Sequence, residues 1–78
     1  MNYRKMVGSQ VRKLRRARGW SQSVLAAKLQ ILGLDIDRTE VVKIESGRAH
    51  VIDYKLLYFA TLFRVEVADL LSRGDAQK

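Results

Sequence analysis

Apolar residues return every three or four positions along the whole chain, and no stretch alternates apolar with polar residues long enough to suggest a strand. The pattern predicts an all-α domain of five helices. In the first, from about residue 4 to Arg18, Val7, Val11 and Leu14 make a single apolar stripe, with Arg12, Lys13 and Arg16 largely off it. Gly19 supplies the conformation that ends this helix, and Arg16 and Arg18 complement the negative end of its dipole. Ser21 is a good N-cap for a second helix, in which Leu25, Leu29 and Leu32 form the stripe and Ala26 allows close approach of a neighbour. Gly33 closes it, with Leu34 as the apolar contact that accompanies such a cap. Asp37 starts a third helix, ending at Gly47. Glu40 makes a capping-box partner for Asp37, and Ile36 with Val41 makes a hydrophobic staple. Asp53 caps or charge-stabilises a fourth helix carrying Leu56, Leu57, Phe59, Ala60, Leu62 and Phe63. Apolar over more than one stripe, it is expected to be buried on two sides as the central element. A short fifth helix from about Glu66 to Leu71 offers Val67, Leu70 and Leu71. The polar stretch after it is expected to fray, giving one domain over residues 1–72 and a tail over 73–78.

Composition narrows the picture. A chain of 78 residues, 47% hydrophobic and without proline or cysteine, has room for one domain. A single core of this size supplies roughly 3–5 kcal/mol of net stability. Neither a disulfide nor a cysteine-ligated metal can add to it, so helix packing or dimerisation must suffice. The lack of cysteine, of an export signal after Met1-Asn2-Tyr3-Arg4-Lys5 and of a membrane-length apolar run leads us to expect a soluble, cytoplasmic protein.

The placement of charge is more informative than its sum of +7. Residues 1–20 hold seven basic groups and no acid, whereas residues 21–78 hold eight basic and eight acidic groups. Such a segment can be a solvated face kept for solubility, a membrane-surface helix or a phosphate-binding surface. A core that consumes the apolar stripe of the first helix argues against the membrane.

Three local signatures follow one another: a basic helix ending in Arg18-Gly19, a Ser21-Gln22 start to the second helix, and Ile44-Glu45-Ser46-Gly47 closing the third. With the apolar ending from Val65 to Leu71, their order resembles the phage-repressor, or Xre/Cro-type, helix-turn-helix family over about residues 7–71. The resemblance implies a compact five-helix bundle of the lambda-repressor-like DNA-binding type, with the third helix in the major groove of a double-stranded operator and the second across the backbone. It implies a bacterial or phage-derived, nucleoid-associated regulator, often a homodimer. By position match, Arg38, Thr39 and Lys43 occupy base-reading sites, joined by Val42 on an outward face. Arginine and lysine donate to guanine O6 and N7, and a threonine or valine methyl packs on a thymine methyl. Gln22 matches a phosphate-contacting glutamine, with Ser46 and Arg48 as further phosphate candidates. Arg15 and Glu45 match a structural ion pair that ties the first helix to the end of the third. Each of the exposed candidates can also be read as an ordinary solvated surface residue.

Three departures stand against this match. The link from Leu29 to Arg38 is about five residues longer than the family's compact turn, and we expect an extended second helix with Leu32, Leu34 and Ile36 buried. Glu40 stands where a small polar residue usually faces DNA, and capping its own helix is its favoured role. Arg64 stands where glycine or asparagine commonly ends the fourth helix. The lengthened link and Glu40 motivate an alternative function, a helix-turn-helix protein-interaction module: an antitoxin, antirepressor or assembly partner with little DNA binding. No catalytic site, metal site, cofactor or small-molecule effector site is expected: His50 is a lone loop histidine, and no Gly-rich phosphate loop or metal-ligand spacing is present. Trp20, Tyr54, Tyr58, Phe59 and Phe63 are read as core.

Overall fold

The first helix, α1, spans Tyr3–Ala17 and sets its apolar stripe against the rest of the chain, so that Val7 and Val11 are buried and Leu14 partly so. A computed structural model describes residues 3–71. The frayed tail expected from Ser72 onward lies outside these residues. Gly19 follows α1 with φ +73°, donating its N–H to Arg16 O, a left-handed turn that costs glycine nothing. The second helix, α2, spans Gln22–Ile31, capped by Ser21, whose Oγ accepts from Val24 N at 3.0 Å. The third, α3, spans Arg38–Glu45 and is capped by Asp37, whose Oδ1 accepts from Glu40 N at 2.9 Å. Next come α4, Asp53–Phe63, and α5, Val67–Leu70. Among the described residues there is no strand, and no helix is long and apolar enough to cross a membrane.

Packing follows the stripes. Helix α3 lies against both α1 and α2, while α4 packs on α2 and α5, and α5 reaches back to α1. One core results, centred on Val11, Leu25, Leu29, Val41, Ile44, Phe59, Phe63 and Leu70, none of them exposed to water. The radius of gyration, 11.3 Å, is that of a well-packed chain of this length, about 11 Å. At Gly8 the approach of α1 to α3 is so close that a Cβ there would stand 2.1 Å from the carbonyl oxygen of Ile44.

The link between α2 and α3 departs from expectation. Helix α2 stops at Ile31, and Gly33, at φ +106°, turns the chain so that Leu34 N donates to Leu29 O. Leu34 and Ile36 are buried, as the sequence suggests, but Leu32 is 41% exposed. The turn at Gly33 carries the chain inward only after Leu32, leaving that side chain on the outer rim. Nor is α4 enclosed on two sides. Leu56, Phe59, Ala60 and Phe63 are buried, whereas Leu57 is 58% and Tyr54 55% exposed, because α2 and α5 cover only its inner face. Of the two roles expected for Asp53 the second is the one seen: it is an acid in the first turn of α4 rather than its cap, and Ile52 holds the cap position without a side-chain bond. At the other end Arg64 adopts φ 58° and ψ 47°, the left-handed conformation glycine or asparagine would take more easily.

Candidate nucleic-acid interface

Helix α3 divides by face. Val41, Ile44 and Glu45 point inward and are buried, while Arg38, Thr39 and Lys43 are exposed and Val42 is partly so. At 3.6 residues per turn these four and Ser46 fall within an arc of about 140°. The inner arc is held by packing on α1 and α2, and the staple expected across the cap is present in burial, with Ile36 and Val41 both enclosed.

Beneath this arc lies Glu45, whose side chain is fully enclosed. Arg15 donates to it in a fork, Nε to Oε2 at 2.7 Å and Nη2 to Oε1 at 3.0 Å, while Arg15 Nη1 donates to Trp20 O at 2.7 Å. The ion pair expected between α1 and the end of α3 is therefore formed, in the bidentate geometry that favours arginine over lysine. Two further donors converge on the same oxygen: Gln22 Nε2 at 3.1 Å and Arg12 Nε at 3.4 Å. Burial pushes the Glu45 carboxyl up, but hydrogen bonds from Arg15, Gln22 and Arg12 together with the guanidinium charge outweigh it and hold the group below the usual carboxylate range. The Glu45 hydrogen bond and charge raise Arg15 above its ordinary value against the opposing effect of burial.

The candidate phosphate residues are partly spoken for. Gln22 stands at the start of α2 with its amide turned toward Glu45, which fixes its orientation at the edge of the α3 face. Ser46 Oγ donates to Lys43 O and accepts from Arg48 Nε, each at 3.0 Å, so the turn after α3 holds Arg48 along it. Gly47 shapes that turn at φ +80°, where a Cβ would stand 2.7 Å from Lys5 Cγ of α1.

Glu40 has a different partner from the one expected. Its carboxylate Oε2 accepts from Lys55 Nζ of α4 at 2.7 Å instead of closing a capping box on Asp37, so the box is only half made. A cation 15 residues away outcompetes the neighbouring backbone N–H because α4 begins beside α3. The hydrogen bond to Glu40 raises Lys55 above its ordinary value, against burial and with the help of the Glu40 charge. The consequence is electrostatic: the two carboxylates of α3 are each engaged by a basic partner, and the cations of its outer arc are left unopposed by them.

Four contacts were not legible in the sequence. They are Arg12 and Gln22 on Glu45, Lys55 on Glu40, and Arg18, whose Nη2 donates to Phe63 O at the end of α4. All four link residues far apart in the chain, and the density of arginine in α1 was a hint only for Arg12 and Arg18. His50 is exposed in the loop before α4, as expected. No protein-family model, curated protein or solved structure matches this chain.

Proposed function

We propose that this protein is a sequence-specific double-stranded-DNA-binding regulator of the repressor type, reading the major groove with α3. In this reading the bundle is of the lambda-repressor-like kind, and α2 and α3 make a helix-turn-helix with a lengthened turn. The observation that carries it is the outer arc of α3. Arg38, Thr39 and Lys43 stand exposed on a helix whose opposite face is locked by core packing and by the Arg15–Glu45 fork, with both of its acids occupied elsewhere. A rigid helix with outward cations near its start and middle suits base-edge recognition. The acid-free stretch through α1 supplies attraction to the phosphate backbone. Arg48 and Gln22, both oriented by hydrogen bonds, flank the arc as backbone contacts.

The engagement of Glu40 by Lys55 removes one of the two reasons for the protein-interaction alternative; the long link remains. Fluorescence anisotropy across a salt series tests the choice, using a duplex selected from genomic fragments and a scrambled duplex of the same composition. We expect preferential binding that falls steeply with salt, and in Arg38→Ala or Lys43→Ala a loss of about 10- to 100-fold on the selected duplex with little change on the scrambled one. No binding even at low salt, or binding indifferent to both substitutions, would overturn the DNA reading in favour of the interaction module.

A further inference from the structure

Glu40 and Lys43 stand three residues apart on α3, which sets them about 60° apart around the helix and about 4.5 Å apart along it. A glutamate and a lysine at that spacing are near neighbours and attract each other. Here they are not paired. Glu40 reaches the other way, to Lys55 Nζ of α4 at 2.7 Å, and none of the ion pairs among the described residues involves Lys43. Burial decides between the two cations. The Lys55 side chain is 17% exposed, whereas Lys43 stands in water, and an attraction shielded from water and salt is the stronger one. Glu40 keeps 30% of its own side chain exposed, so the bond to Lys55 holds it rather than enclosure by packing.

On the strength of the DNA reading, we infer that Lys55 is a positioning residue for base recognition: from α4, without touching the duplex, it keeps Glu40 away from Lys43 and leaves the Lys43 charge to the base edge. What Glu40 does once released follows from its chemistry. Beside Lys43 it accepts the N–H groups that otherwise reach guanine O6 and N7, and it presents an acceptor suited to cytosine N4 in their place. It also brings a negative charge toward the phosphates, which repel it. Lys55 therefore decides what is read beneath Lys43: guanine while the bond to Glu40 holds, cytosine or no preferred base when it is lost. The same bond explains how a carboxylate is accommodated on a helix that meets a polyanion.

Fluorescence anisotropy on the full chain tests this, using the duplex selected from genomic fragments and a panel in which each of its base pairs is changed in turn. Lys43→Ala marks the base pair that Lys43 reads, as the one whose replacement no longer matters. In Lys55→Met, discrimination at that base pair should fall about 10-fold, while discrimination at the pairs marked by Arg38→Ala stays at the parent value. Lys55→Arg keeps the ion pair and should bind as the parent does. Adding Glu40→Gln to Lys55→Met should restore discrimination to within about 3-fold of the parent, because no carboxylate is left to release. That double variant also regains the net charge of +7, so a control is needed in which the charge returns but Glu40 remains. Lys55→Met with Asp53→Asn is such a control, since Asp53 is exposed in the first turn of α4, and it should stay impaired. Circular dichroism melts establish that each variant is folded at the working temperature, and Lys55→Gln takes the place of the methionine variant if that one is not.

Unchanged discrimination in Lys55→Met, a loss spread evenly over all base pairs, no recovery with Glu40→Gln, or equal recovery with Asp53→Asn would each overturn the inference and leave the DNA reading in place. A parent chain that binds no duplex overturns both.

Discussion

Glu45 shows how much one side chain can carry in a domain of this size. Its carboxylate accepts from Arg15, Gln22 and Arg12, joining three helices at a single buried point. Glu45→Gln leaves Arg15 enclosed without its counter-ion, which typically costs about 3–5 kcal/mol, close to everything a core of this length provides. Urea titration followed by circular dichroism should find the variant largely unfolded near physiological temperature. Replacing both partners, as Arg15→Met with Glu45→Leu, should recover most of the loss, because no unpaired charge then remains inside. The pH dependence follows from the depressed Glu45 value. Its contribution is complete above the unfolded carboxyl pKa of about 4.3 and disappears as pH falls through the lower folded value. Below about pH 4 the parent should therefore lose stability with pH more steeply than the Arg15→Met/Glu45→Leu double variant, a comparison read from the urea midpoint. The fork was expected from the resemblance of Arg15 and Glu45 to a family pair; the additional donors were not, since nothing local marks a residue 33 positions away as a neighbour.

At the level of elements, the caps of α2 and α3 were legible and the covered faces only partly so. Ser21 and Asp37 sit three residues before the N–H groups they accept from, a relation written within one helical turn. The fifth helix carries a reciprocal bond that was not foreseen, Glu66 N donating to Asp69 Oδ2 three residues later. Leu57 and Leu32 are different, because an apolar residue on a helix declares that it can be buried but not that a neighbour exists to bury it. Gly8 carries a constraint that its sequence position conceals. In an isolated helix Gly8→Ala would gain up to about 1 kcal/mol. Here the added methyl meets the Ile44 and Glu45 carbonyl oxygens at 2.1 and 3.0 Å, both backbone atoms that cannot swing aside. We expect a net loss of about 1–3 kcal/mol and, because α3 is pushed outward, weaker binding of any duplex it reads. Gly19→Ala is the matched control: its space is open, so only the left-handed strain of about 1–2 kcal/mol is lost and α3 stays in place. Differential scanning calorimetry and anisotropy on the two variants separate these effects.

On the scale of the whole molecule, the arginines of the first helix turn out to have unequal duties. Arg18 donates to Leu14 O at the end of α1 and to Phe63 O at the end of α4, tying two carbonyl-rich helix ends together. Its guanidinium lies 5.8 Å from the Trp20 ring centre and 5.0 Å from that of Phe63, while Lys28 Nζ stands 4.7 Å from Trp20. Trp20 in turn stacks on Phe63 at 6.0 Å. Arg18→Ala should cost about 1–2 kcal/mol, lower the melting temperature by about 4–8 °C for each of those kilocalories, and shift Trp20 fluorescence to the red as water gains the ring. Retention of the parent melting point would remove this clamp from the account. Arg16 and Lys13, exposed on the outer side of α1, remain for long-range attraction of an anion.

The amino-acid sequence by itself determined the five helices, the residues that cap the second and third, most of the inward stripes and the concentration of positive charge at one end. These depend on periodicity and on interactions within one turn, which a linear pattern records. Tertiary structure alone decided that Glu40 meets Lys55, that Arg12 and Gln22 join Arg15 on Glu45, that Gly8 is a contact point, and that Leu32, Tyr54 and Leu57 face water. Each of these depends on which helices become neighbours and how closely they approach. That choice is made by the burial of the whole core at once, and no single segment of the chain contains it.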